Sequence, residues 1–99
     1  MDARRTANDV AGVVRAAYGG HIAVLFVARG RQQPGVFDPA QAVVEVYEEP
    51  RPGDEDLLNC AAVYTLLHAG TVYVTEPEKV PGGGALAAIY WLPLSRKAK

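Results

Sequence analysis

Residues 21–27, reading His-Ile-Ala-Val-Leu-Phe-Val, constrain this chain more than any other stretch. After His21 every position is apolar, so an extended strand here would be apolar on both alternating faces. The run is too short for a typical helix and well short of the roughly 20 residues that span a bilayer. Gly19 and Gly20 precede it, and the polar loop Arg29-Gly30-Arg31-Gln32-Gln33-Pro34-Gly35 breaks it. A strand apolar on both faces belongs in the middle of a sheet that is covered on each side. The expected fold is therefore α/β: a three-layer α/β/α sandwich with a mixed sheet of about four strands.

Local periodicity supplies the other elements. Val10, Val13, Val14, Ala17 and Tyr18 recur at helical spacing and predict a helix over about 6–18. Thr6 is its expected cap, Asp9 completes a short-armed capping box, and Gly19-Gly20 ends it. Gly35, Val36 and Phe37 lead into a turn at Asp38-Pro39. Residues 43–47 then read as a strand whose polar members suit a sheet edge. After a Pro/Gly/acid connector at 48–53, Asp54 is the expected cap of a second helix. Glu55 and Asp56 follow in its first turn, where the helix dipole favours negative charge. Leu58, Ala61, Ala62, Thr65 and Ala69 form a stripe of small residues that lets this helix lie close on a sheet, and Gly70 stops it. Thr71-Val72-Tyr73-Val74-Thr75 is a strand by its β-branched and aromatic content. Residues 76–84 form a loop, and 85–92 a last strand ended by Pro93. A single domain is expected over the 99 residues, with its core at about 6–93 and a disordered tail at 94–99.

Ten basic against eleven acidic residues leave a formal net charge of −1. That balance supplies no general field for a phosphate backbone. Cys60 is the only cysteine, so an intrachain disulfide is excluded, which suits a reducing compartment. Met1-Asp2-Ala3-Arg4-Arg5 opens a polar start and not an apolar export segment. A cytoplasmic location without membrane attachment is the expectation.

Few residues invite a chemical role. Pro81-Gly82-Gly83-Gly84 has the look of a phosphate cradle, but a strand follows it where a cradle needs a helix N-terminus, so it reads as a flexible loop. Cys60 lies mid-helix, where a thiol packs as a small hydrophobe, and neither histidine is placed beside it as a base. His21 begins a strand and His68 ends a helix; with one cysteine they do not make a zinc ligand set. No catalytic residue, metal or cofactor is expected. Glu45, Glu48, Glu49, Asp54, Glu55 and Asp56 crowd one segment. They read either as a solvated connector with helix-cap charges or as an acidic docking patch for a basic partner. Arg29 and Arg31 flank Gly30 and read as solvated, or as contacts to RNA phosphate or an acidic partner. The partner-binding candidates are therefore Arg29, Arg31, Asp54, Glu55, Asp56, Pro81, Gly82 and Gly83.

In chain order, four stretches carry a family resemblance. The first is Val24-Leu25-Phe26-Val27-Ala28-Arg29-Gly30 with Gly35-Val36-Phe37-Asp38, and the second Pro52-Gly53-Asp54-Glu55-Asp56-Leu57-Leu58. Ala61-Ala62 through Leu66-Leu67-His68-Ala69-Gly70-Thr71-Val72-Tyr73 is the third. Glu76-Pro77-Glu78-Lys79-Val80-Pro81-Gly82-Gly83 is the fourth. Together they resemble the C-terminal (third) domain of the bacterial archaeo-eukaryotic release factor family over roughly residues 7–92. The resemblance implies the α/β/α sandwich shared by class-one release factors, Pelota and the kink-turn-binding ribosomal proteins. It also implies a docking platform for translational GTPases or recycling factors. The catalytic Gly-Gly-Gln loop of that family belongs to another domain and does not occur here.

The leading expectation is thus a non-catalytic protein-interaction domain in translation, with a translation factor or the ribosome as partner. An RNA-binding module of the kink-turn type is the alternative, and a small-ligand domain with a pocket near residues 81–84 the second. The oligomeric state stays open, with pairing of an edge strand at 43–47 across a two-fold axis as the alternative to a monomer.

Overall fold

The computed structural model describes residues 6–91. The elements follow in the order β1 (Thr6–Ala7), α1 (Val10–Tyr18), β2 (Ile22–Ala28), β3 (Pro34–Asp38), β4 (Val43–Val46), β5 (Glu55–Asp56), α2 (Leu57–Leu67), β6 (Thr71–Thr75) and β7 (Leu86–Tyr90), with a 3-10 turn at Pro77–Lys79. The fold is α/β, as the doubly apolar run requires. Its main sheet is mixed and four-stranded, in the order β1-β7-β2-β6. β2 pairs with β6 in parallel, from Val24 opposite Thr71 to Ala28 opposite Thr75. It pairs with β7 antiparallel, with an irregularity between Ile22 and Val24. Residues 22–27 are therefore central, as expected.

A second, three-stranded sheet, ordered β4-β3-β5, is built from the segment between β2 and α2. Gly35 opposes both Val46 and Glu55, which places β3 in its middle. Edge-on ring contacts tie this sheet to the helices: Phe37 meets Tyr18 at 5.3 Å and Tyr64 at 5.8 Å between centroids.

Two element starts differ from the sequence-based expectation. Thr6 does not cap α1, because its backbone, in β1, pairs with Ile89 of β7. Asp9 is the cap, and its carboxylate accepts from the Gly12 N–H at 2.9 Å. Likewise, Asp56 and not Asp54 caps α2, because Glu55–Asp56 pairs with Pro34 and Gly35. Asp54 instead closes the turn before it, accepting from the Arg51 N–H at 2.6 Å. Pro93, the 94–99 tail and the first five residues lie outside the described residues.

One core joins the helices to the main sheet. Val13, Val14 and Ala17 of α1 and Leu57, Leu58 and Ala61 of α2 pack with Ile22, Leu25, Leu86 and Ala88. Full burial of each Val, Leu or Ile contributes on the order of 1.5–3 kcal/mol. The helical layer is one-sided. α1 and α2 lie side by side on the face that carries Leu25 and Ala88, with α1 nearer β7 and α2 nearer β6. On the opposite face the cover over Ala28 and Ala87 is loop, anchored by buried Val80 with Phe26 alongside.

Candidate docking rim at the carboxyl end of the sheet

Because β2 and β6 are parallel, their carboxyl ends meet at one end of the molecule, where loops and helix starts also gather. The Arg29 N–H donates to the Thr75 carbonyl at 2.7 Å and fixes the two chain exits together. The Arg29 side chain forms an ion pair with Glu76, Nε to Oε2 at 3.3 Å, with both groups more than half exposed. An exposed pair of this kind contributes about 0–1 kcal/mol, so it orients the arginine more than it stabilises the fold. Gly30 adopts φ of +78°, and the Arg31 N–H turns back onto the Ala28 carbonyl at 3.3 Å. Arg31 is left exposed, with no side-chain partner among the described residues.

The glycine loop reaches the same end. The Ala28 N–H donates to the Ala85 carbonyl at 2.8 Å, and the Gly83 N–H to Val80 at 2.7 Å. Gly82, at φ of +85°, lies against the Asn8 side chain. Beside it is a shallow cleft of about 230 Å³, lined by Thr6, Ala7, Asn8, Pro81, Gly82 and Ala87. A phosphate cradle is not assembled there. The loop runs into β7, and the nearby start of α1 already has its Gly12 N–H occupied by Asp9.

Gln33 connects the acidic cluster to this end. Its N–H donates to Asp56 Oδ1 at 3.0 Å, and its carbonyl accepts from the Leu57 N–H at 2.8 Å. Its side-chain amide donates to the Tyr47 carbonyl at 2.7 Å. Nothing in the sequence singled Gln33 out, because a lone glutamine has no motif and its role depends on three distant partners. Asp54 and Asp56 are engaged by backbone N–H groups, whereas Glu55 stays exposed. The remaining acids divide in the same way. Glu45 accepts from the Tyr47 hydroxyl at 2.5 Å, and Arg51 stacks on the Tyr47 ring, while Glu48 and Glu49 face solvent. A second cleft, of about 240 Å³, is lined by Gln32, Pro34, Pro50, Asp54, Glu55 and Asp56. Both clefts are smaller than the roughly 300 Å³ at which small-molecule pockets begin.

The structure therefore brings Arg29 and Arg31, residues 54–56 and residues 81–83 to one loop-built rim. Lys79, exposed on the 3-10 turn, joins them and was not singled out by the sequence.

The residues considered for chemistry lie elsewhere. Burial pushes the Cys60 thiol up to about 11, with the negative charge of Glu55 adding to it. The thiol is then protonated and weakly nucleophilic at neutral pH. His68 sits at the C-terminal end of α2, against Gly20. Among the described residues, no group of three or more His, Cys, Asp or Glu is placed to hold a metal ion, and no helix is long and apolar enough to cross a membrane. No family model and no curated protein matches this chain.

Proposed function

We propose that the chain is a non-catalytic protein-interaction domain of a release-factor-like translation protein, acting in the cytoplasm and docking a translation or ribosome-recycling partner through the rim at the carboxyl end of its sheet. One observation carries this reading: three sequence-distant stretches converge there and are held by hydrogen bonds at the ends of β2 and β3. The family resemblance draws on parts of the same stretches. Exposed Arg31, Lys79 and Glu55 present both signs of charge around the engaged Arg29–Glu76 pair. Such a mixed polar surface steers and orients a protein partner. Because the loops are tethered at their bases, little conformational entropy is lost on binding.

RNA binding of the kink-turn type is the second reading, favoured by the grouping of Arg29, Arg31 and Lys79. The neighbouring Glu76, Glu78 and Glu55 oppose a phosphate backbone.

Affinity capture from a gentle-salt cell extract tests the proposal. Ribosomal or translation-factor proteins are expected on the wild-type chain. Arg31→Glu should weaken their capture about tenfold without altering the melting temperature. Recovery of no translation component overturns the proposal. A mobility shift with kink-turn RNA that Arg29→Ala abolishes would favour the second reading.

A further inference from the structure

β6 reads Thr-Val-Tyr-Val-Thr, the same sequence in both directions. Among the described residues it is an edge strand, hydrogen-bonded to β2 alone. It contains no charge, proline or glycine, and so lacks the devices by which natural edge strands discourage pairing. Its apolar surface continues onto α2. The rings of Tyr64 and Tyr18 mark the side of α2 that meets α1. Ala62 and Leu66 therefore lie on the opposite flank, over β6. Leu66 is 59% exposed and Val74 54%, although Val74 shares the helix-bearing face with Val72. On the other face Tyr73 is 53% exposed and stacks on Phe26 at 5.6 Å.

We propose that this edge is the contact between two copies of the chain, with β6 pairing antiparallel to the partner's β6 about a two-fold axis through Tyr73. The palindrome makes every cross-strand pair a like pair. Thr71 faces the partner's Thr75, Val72 the partner's Val74, and Tyr73 the partner's Tyr73. A two-fold interface requires a patch that complements itself, and this strand does so at each position. The two main sheets become one continuous sheet. Val74 and Leu66 of each copy close over the junction on the helical side, and Phe26 and Tyr73 of each copy form a row on the other.

Antiparallel pairing sets the carboxyl end of β6 in one copy, with its Arg29–Glu76 pair, beside the amino end of β6 in the other. It keeps the two Arg29–Glu76 pairs about a strand length apart, roughly 17 Å. β4, the strand the sequence offered as an alternative dimer edge, is also an edge of its sheet. However, it carries Glu45 and is not its own reverse, so a two-fold pairing there gains no matched set. One short strand and one helix flank make a small contact, below about 1,200 Å² in total, so the dimer is reversible and depends on concentration.

Sedimentation of the full chain over a wide concentration range should show the monomer mass doubling at the high end. Val74→Lys should hold the chain monomeric with its melting temperature retained, while Val43→Lys on β4 should dimerise like the wild type. A Tyr73→Cys chain with Cys60→Ser should form a disulfide-linked dimer under mild oxidation, because the Cα atoms of directly opposed residues in an antiparallel pair lie about 4.5–5.5 Å apart, within the span a disulfide bridges. This last readout stands even if Val74→Lys fails to fold. A chain that stays monomeric to its solubility limit overturns the proposal, including the case in which the edge serves a strand of another protein. So does a dimer that Val43→Lys abolishes or that the Tyr73→Cys pair cannot trap.

Discussion

Asp56 shows how one carboxylate can fix two parts of the chain. Its Oδ1 accepts from Leu58 N–H at 3.2 Å, capping α2, and from Gln33 N–H at 3.0 Å, tying the start of β3 to that cap. Asp56→Ala leaves both part-buried donors unmatched. It should lower stability by about 1–3 kcal/mol in chemical denaturation, and Asp56→Asn should recover most of the loss, since asparagine caps nearly as well. Cys60 offers a second test at this scale. Its folded thiol is raised to about 11, mainly by burial. The unfolded thiol titrates near 8.5. A raised folded value means that the contribution to stability is complete below about pH 8.5 and is lost as pH rises towards 11. Melting temperature should therefore fall across that window, and Cys60→Ala should flatten part of the fall. Tyr64, raised by burial, leaves a residual slope of the same sign.

Among the elements, the small sheet is the most sterically demanding. Gly35 sits in its central strand, where an added Cβ would strike the Glu45 carbonyl oxygen and Leu57 Cδ1, the latter at 2.5 Å. Gly35→Ala should cost about 1–3 kcal/mol, because both neighbours are fixed, one in backbone and one in the core. Gly84→Ala, which meets nothing within 4 Å, is the matched control and should leave the denaturation midpoint unchanged. β2 and β6 were legible from sequence because their character is local: one is apolar on both faces, the other built wholly of β-branched and aromatic residues. The start of α1 was not. Thr6 and Asp9 can each cap a helix, and only the pairing of Thr6 with Ile89, far along the chain, decides between them. The same holds for Asp54 and Asp56. Either aspartate can cap a helix, and only the pairing of β3 with Glu55–Asp56 decides between them.

At the scale of the whole molecule, the α/β class and the central place of residues 22–27 followed from composition and pattern. The gathering of the candidate residues on one rim did not, because it depends on the parallel pairing of β2 with β6 across the small sheet and α2. Gln33 and Lys79 were invisible for the same reason: each matters through neighbours that the fold alone supplies. The antiparallel pairing of β1 with β7 has a further consequence. Thr6 lies opposite Ile89, so the first and last strands among the described residues run side by side near the Ile22 end of β2, away from Arg29, Glu76 and Gly82. Those two strands share a root on the far pole, like the base of a bulb, and the loops at the crown face outward on the other side.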